Sequence, residues 1–234
     1  MIPEWNSFIN ADCMDYLKQF PDNYFSLAIT DPPYGAGFTE GGGCKGWFSK
    51  YHQSGGGTDY NRFGGRFDRY KSEENGKKII SWDVAPGKEY FEQLFRVSRN
   101  QIIWGGNYFE LPPTRCFVIW KKLTISENFS MAMCEYAWTS FNENAKVFEC
   151  VPQDTNRFHP TQKPIKLYEW LLNRYAKEGD TILDTHVGSA SSLIACHRTQ
   201  HKYIGFEVDK EYYTKAKARL DAETAQYTIF DYLK

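Results

Sequence analysis

Two rhythms of apolar residues alternate along the chain: short apolar runs, and stretches whose apolar positions recur at helical spacing. Ser7–Asp12 and Phe25–Thr30 read as strands. Between them Cys13–Phe20 carries Met14 and Leu17 on one helical face, and Pro21-Asp-Asn23 makes a turn. Glu89–Val97 reads as a helix with Phe91, Leu94 and Phe95 together on one side. Gln101–Trp104, Phe117–Trp120 and Tyr136–Phe141 read as strands, and Leu167–Ala176 as a helix. Thr181–Asp184 predicts a strand, Val187–Ala190 a small-residue turn, and Ser191–Arg198 a helix. Lys202–Glu207 predicts a further strand, and Asp209–Ala222 a helix with Asp209 as its N-cap. Strands alternating with helices imply an α/β fold with a mostly parallel central sheet. No internal repeat is present, and 234 residues suit a single domain over 1–234.

The rhythm fails from Gly35 to about Lys78. Gly41-Gly-Gly43, Gly55-Gly-Gly57 and Gly64-Gly65 punctuate this stretch, with Lys45, Lys50, Arg62, Arg66, Arg69 and Lys71 among aromatic residues. Such interleaving suits a nucleic-acid backbone and unstacked bases; a solvated loop is the alternative. Aromatic residues make up 17% of the chain, which suits base stacking or a tyrosine-rich core equally. The net charge of −1 excludes a polycation, so nucleic-acid contact falls to a local patch, with Arg62, Arg66, Arg69 and Lys71 as candidates. Six cysteines without a C-x-x-C pair argue against a zinc site or disulfide framework. The absence of a long apolar run and of a signal-peptide pattern leads us to expect a cytoplasmic protein with no membrane partner, and the cysteine pattern leads us to expect no metal.

The candidate chemistry begins where Phe25–Thr30 stops. Asp31-Pro-Pro-Tyr34 follows it, and two adjacent prolines have no N–H with which to continue a ladder. They fix two φ angles and keep the local carbonyls rigid. The Asp31 carboxylate and the Pro32 carbonyl can then serve as paired acceptors; a plain Pro-Pro turn is the bland alternative. Near the other end, Thr181–Ala222 reads as strand, turn, helix, strand and helix. Glu207 is placed where a carboxylate accepts ribose hydroxyls. The G-x-G-x-x-G fingerprint is missing, which favours a cofactor without a pyrophosphate, or an ordinary βαβ unit that binds nothing.

Four segments resemble one family. Leu183-Asp-Thr-His-Val-Gly-Ser-Ala-Ser191 resembles the S-adenosylmethionine loop of the amino-group DNA methyltransferases. Tyr203-Ile-Gly-Phe-Glu-Val-Asp209 is similar to the next strand of that family, and His159-Pro-Thr-Gln-Lys-Pro164 to the segment that caps the methionine end. Asp31-Pro-Pro-Tyr34 matches the family's catalytic tetrapeptide without change. Asn107-Tyr-Phe after Gly105-Gly106, and Glu135–Ser140, also look like family segments. The resemblance reaches from Asn10 to about Leu220. Its order, catalytic strand first and cofactor loop last, is similar to the circularly permuted beta group.

The resemblance implies a Rossmann-like methyltransferase fold and S-adenosyl-L-methionine as cofactor. It further implies DNA as partner and methyl transfer to the N6 amine of a flipped-out adenine. It assigns catalysis to Asp31, Pro32, Pro33 and Tyr34, with Tyr34 stacking on the base. It assigns cofactor binding to Asp12, Cys13, His159, Lys163, Asp184, Thr185, Gly188, Ser189, Ser191 and Glu207. Asp12 would touch the cofactor's adenine, although an Asp there also suits a helix N-cap. Lys163 would pair with the methionine carboxylate; a surface lysine is the alternative. Target recognition falls within about 35–150, and a homodimer and a bacterial or phage restriction-modification role are further expectations. Two departures stand out: Thr185-His186 replaces Pro-Phe, and Ala190 replaces a glycine, which is harmless only at negative φ. The competing readings are a cytosine-N4 DNA methyltransferase, an RNA or protein-amide methyltransferase, and a nucleic-acid-binding module with a decayed cofactor site.

Overall fold

The computed structural model describes residues 2–35, 84–128, 132–152 and 157–225. The chain divides into two compact units, Met1–Pro32 with Lys88–Lys234, and Pro33–Gly87. Arg62, Arg66, Arg69 and Lys71, with nearly all of the glycine-rich stretch, lie outside the described residues.

The first unit is built on one eight-stranded sheet. Its strands are β1 (Ser7–Asn10), β2 (Phe25–Thr30), β3 (Ser98–Trp104), β4 (Phe117–Lys122), β5 (Cys134–Thr139), β6 (Lys146–Cys150), β7 (Thr181–Asp184) and β8 (Lys202–Glu207). They lie side by side in the order β1-β8-β7-β2-β3-β5-β4-β6. Among the described strands, the pairings of β5 with β3 and with β4 are antiparallel and the rest are parallel. The helices are α1 (Met14–Leu17), α2 (Lys88–Val97), α3 (Ile165–Tyr175), α4 (Ser191–Arg198) and α5 (Lys210–Thr224). No helix among the described residues is long and apolar enough to cross a membrane.

β2 reads Phe-Ser-Leu-Ala-Ile-Thr and is buried on both faces because it sits between β7 and β3. The side-chain period of two sends Leu27 and Ile29 into one apolar layer, with Leu167 and Leu171 of α3 and Leu193 and Ile194 of α4. Ala28 faces the opposite layer, with Leu17 of α1 and Phe91 and Leu94 of α2. Each of the buried leucine and isoleucine side chains contributes about 1.5–3 kcal/mol before conformational entropy is subtracted. α5 begins at Asp209, whose carboxylate accepts the N–H groups of Glu211 and Tyr212 as an N-cap.

Several elements depart from their sequence patterns. α1 is a single turn, Met14–Leu17, within the helix expected over Cys13–Phe20. The strand expected at Tyr136–Phe141 runs two residues earlier, because Cys134 to Thr139 pair with β4 and β3. β6 has no counterpart in the expected elements; it is an edge strand on which Val147 and Glu149 face solvent.

The turn between β7 and α4 depends on close packing at Gly205 of β8. A Cβ there would lie 2.6 Å from Val187 Cγ2 and 2.8 Å from Leu193 Cδ1. Both contacts are too short for a real Cβ, so the Val187 and Leu193 side chains would have to shift within a filled layer. Gly205→Ala is expected to destabilise the fold by about 1–3 kcal/mol, as overpacking of a filled core does. Denaturant unfolding of the two proteins checks this, and an unchanged midpoint would contradict it.

Candidate functional site

Parallel strands end at one edge, and here that edge carries carboxylates. β7 ends at Asp184, β8 at Glu207, and Asp31 directly follows β2. The register Ala28↔Leu183 between β2 and β7, and Asp184↔Gly205 between β7 and β8, sets these ends beside one another. Ligands of open α/β sheets bind at this edge. Pro33 and Tyr34, the second half of the tetrapeptide, belong to the other unit.

Each carboxylate is accommodated differently. Asp31 Oδ2 accepts a short hydrogen bond from Lys163 Nζ. Lys163 also lies 3.1 Å from Glu135 Oε2, and Lys122 Nζ lies 2.6 Å from Glu135 Oε1. Asp31, Lys163, Glu135 and Lys122 thus form a chain of alternating charge. Burial works against the Lys163 charge, but the carboxylates of Asp31 and Glu135 outweigh it and hold the ammonium above the usual lysine range. Burial likewise opposes the Glu135 charge, and Lys163 with Lys122 holds it below the usual carboxylate range. The Lys163 ammonium stands 5.1 Å from the centre of the Trp104 ring. Trp104 Nε1 is buried beside this charge chain and has no hydrogen-bond partner among the described residues.

Asp184 is buried. It accepts the His186 backbone N–H at 3.0 Å and a short bond from Ser192 Oγ of α4. Burial nevertheless pushes its carboxyl up to about 7, and the charges of Asp31 and Glu207 add to the rise. Glu207 accepts the Gly188 N–H and the Asp209 N–H, each at 2.9 Å, while burial lifts its carboxyl above the usual range. Gly188 stands at φ +56°, and a Cβ there would meet the His159 ring at 3.2 Å. His159 packs edge-on against Tyr212 of α5 and is kept neutral, its value lowered to about 3 by burial and by Lys163 and Arg157. Gly188, Glu207 and His159 are therefore brought together from the turn, the strand end and the Thr-Gln-Lys-Pro segment.

Cys13, Thr185, Ser189 and Ser191 are buried. Thr185 Oγ1 lies 2.6 Å from both Thr30 Oγ1 and Tyr90 OH, with His186 Nδ1 at 3.0 Å. Burial lowers His186 to about 4, so the ring is neutral in this network. Ser189 and Ser191 hydroxyls lie 3.1 Å apart, and Arg219 of α5 donates to the Ser189 carbonyl and to Ser191 Oγ. Asp12 Oδ1 accepts the Met14 N–H at 2.9 Å, just ahead of α1, whose N-cap position is Cys13 and carries no side-chain cap bond. Cys13 is buried beside it, and burial with the Asp12 charge pushes its thiol up to about 12. The condition that Ala190 be harmless is not met: it stands at φ +64°, because the turn keeps a left-handed backbone at the start of α4.

Sequence patterns do not single out Lys122, Glu135, Thr30, Tyr90 or Ser192. A signal for two of them is nevertheless present. Lys122 continues the buried register of Val118 and Trp120, and Glu135 that of Ala137 and Thr139. A charge in a buried strand register needs a partner.

The DNA methylase family model, N6_N4_Mtase, matches residues 103–218, which hold β4 to β8 and the turn with Gly188. The chain belongs to this family of N6-adenine and N4-cytosine DNA methylases. A stretch of 73 residues, 31% of the chain, is 45% identical to the type II methyltransferase M.HpaI of Haemophilus parainfluenzae and takes in 23% of that relative's length. Among solved structures, the M1.HpyAVI-SAM complex superposes with a TM-score of 0.54 at 18% identity, over 92% of this chain and 98% of that one. The PvuII DNA methyltransferase (cytosine-N4-specific) gives 0.56 at 14% identity, over 95% and 91%. At these identities the likeness to the two structures is one of fold.

The raised Asp184 carboxyl has a thermodynamic consequence. Unfolded, an Asp titrates near 3.9, so between about pH 4 and pH 7 unfolding releases its proton. The native state therefore loses stability as pH rises through that window, and the loss is complete above about pH 7. Asp184→Asn keeps an acceptor for His186 and a polar partner for Ser192 but carries no charge. Relative to wild type, this variant is expected to gain stability from pH 5 to pH 8, with an upper bound on the order of 4 kcal/mol. Thermal unfolding of both proteins across that range measures the difference, and a difference independent of pH would contradict it.

Proposed function

We propose that the chain is an S-adenosylmethionine-dependent DNA methyltransferase that methylates the N6 amine of an adenine turned out of the duplex. The observation that carries this reading is the placement of Asp31 directly after β2, one strand from Asp184 and two from Glu207. An acceptor for an amine thus ends the strand beside the strands that end in cofactor-type carboxylates.

The residues suit the cofactor. Glu207 has its carboxylate oriented by two backbone N–H groups and retains lone pairs for ribose hydroxyls. Gly188 brings bare backbone to the same place, and Asp184 and Asp12 add acceptors along the edge. Acceptors and carboxylates match a ligand that carries a sulfonium and an ammonium. When bound, S-adenosylmethionine supplies an electrophilic methyl group.

The chain's own part is to prepare the nucleophile. An exocyclic amine has its lone pair drawn into the ring. Asp31 and the Pro32 carbonyl, accepting its two N–H bonds, hold that nitrogen toward a tetrahedral shape and stabilise the positive charge it gains. Pro32 lacks an N–H, so no competing donor lies at that carbonyl's own residue. Pro33 and Tyr34 carry their assignments on sequence alone, Tyr34 as an aromatic face for the extruded base. The glycine-rich basic stretch with Arg62, Arg66, Arg69 and Lys71 is proposed as the DNA contact on the same footing.

A second reading, cytosine-N4 methylation, is supported by a family that holds both kinds of enzyme and by the fold likeness to a cytosine-N4-specific methyltransferase. Adenine is preferred because Asp opens the tetrapeptide. Methyl-labelled cofactor and DNA, followed by nucleoside separation, are expected to give label in N6-methyladenine. Asp31→Ala is expected to lower turnover by at least about 100-fold, as loss of a preorganised electrostatic partner does. Label in N4-methylcytosine alone would overturn the adenine assignment, and full activity of Asp31→Ala would overturn the site.

A further inference from the structure

We propose that Lys163 is the positioning residue of the Asp31 carboxylate, braced from behind by Glu135 and Lys122, and is not an anchor for the cofactor's own carboxylate. This rests on the methyl-transfer reading above. The sequence resemblance points the other way, to a lysine waiting for the methionine end of the cofactor.

The geometry around Lys163 leaves it little freedom to do that. Its side chain is 2% exposed and touches two carboxylates from different elements, Asp31 after β2 and Glu135 in β5. The Trp104 ring lies against it, 5.1 Å from the ammonium to the ring centre. Behind Glu135 stands Lys122 of β4, itself 7% exposed. The chain of charges therefore alternates in sign from β4 through β5 and the Thr-Gln-Lys-Pro segment to the end of β2. Tyr168 of α3 is buried in the fields of Asp31, Asp184 and Glu135 and is kept protonated, so it adds no charge. His159 lies in the field of Lys163 as a neutral ring.

A ligand carboxylate brought to Lys163 would be a third negative group beside Asp31 and Glu135. Like charges at that range repel, more strongly so out of water. The ammonium is instead committed to the reacting carboxylate, and it fixes which way that carboxylate faces. An acceptor for an amine works only when its oxygen lies where the N–H will point, and small misplacements are costly in rate. Rigid support of this kind comes from strands, and both Glu135 and Lys122 sit on paired strands of the sheet.

Lys163→Met keeps the length of the stem and removes the charge. Single-turnover methyl transfer at saturating cofactor is expected to fall about 100-fold, the scale for a misplaced reacting group. Calorimetry is expected to give the same cofactor Kd to within about threefold, well under the factor of ten that 1.4 kcal/mol makes. A Kd weakened about tenfold or more with an unchanged single-turnover rate would overturn the proposal. Glu135→Gln retains shape, so it carries the kinetic arm if the methionine variant does not fold; its rate is expected to fall in the same direction by a smaller factor, and an unchanged rate would overturn the bracing role. The Lys163–Asp31 link is read without activity by nuclear magnetic resonance titration of the Lys163 ammonium. Asp31→Asn is expected to lower its midpoint by more than about one pH unit, and an unmoved midpoint would overturn the link. If wild-type protein transfers no methyl group, the functional reading fails, while this titration still decides whether Lys163 holds Asp31.

Discussion

Like charges gathered at one edge of a sheet are the constraint on which the rest of this structure depends. Parallel pairing of β2, β7 and β8 brings Asp31, Asp184 and Glu207 together whether or not their charges agree. The fold answers each one differently. Asp31 receives a buried ammonium, Glu207 receives two backbone N–H groups, and Asp184 has its carboxyl raised to about 7. None of these answers stabilises the fold by much, since the attraction within a buried ion pair little more than offsets its desolvation. An edge that is costly to hold and rich in acceptors is what a cationic cofactor and an amine substrate would find useful.

The turn after β7 shows how a changed motif can stay coherent. Thr185 and His186, standing where the family has Pro-Phe, join Thr30 and Tyr90 in one hydrogen-bonded cluster. That cluster ties the turn to the last residue of β2, immediately before Asp31. Ala190 is the dissonant member. A left-handed backbone costs a residue with a Cβ about 1–2 kcal/mol, and burial of the Ala190 methyl offsets part of this. The backbone of the turn has thus been kept although the glycine that eases it has gone.

Much of this was legible in the sequence, for identifiable reasons. β2, β7 and β8 are buried on both faces, so their apolar runs survive without alternation and mark a parallel sheet. β6 was invisible because, as an edge strand, it mixes half-buried Lys146 and Phe148 with exposed Val147 and Glu149, a pattern with no apolar run. The Asp31-Pro-Pro-Tyr34 stop was legible because two prolines have one physical meaning after a strand. The partner of Asp31 was not. Lys163 is 132 residues away in the chain, and only the folding of the sheet brings it and Glu135 to that carboxylate. What reads locally as a loop lysine becomes a buried ammonium through long-range pairing. Thr185 and the serines of the turn were legible as small polar residues, but not in the direction they face.

The most direct measurement is calorimetric titration of the purified protein with S-adenosylmethionine in the absence of DNA. If the carboxyl edge is a cofactor site, one molecule binds per chain, and Glu207→Ala, which removes the oriented carboxylate, abolishes the heat. No heat and no thermal shift with the wild-type protein would contradict the account and favour a nucleic-acid-binding module whose cofactor site has decayed.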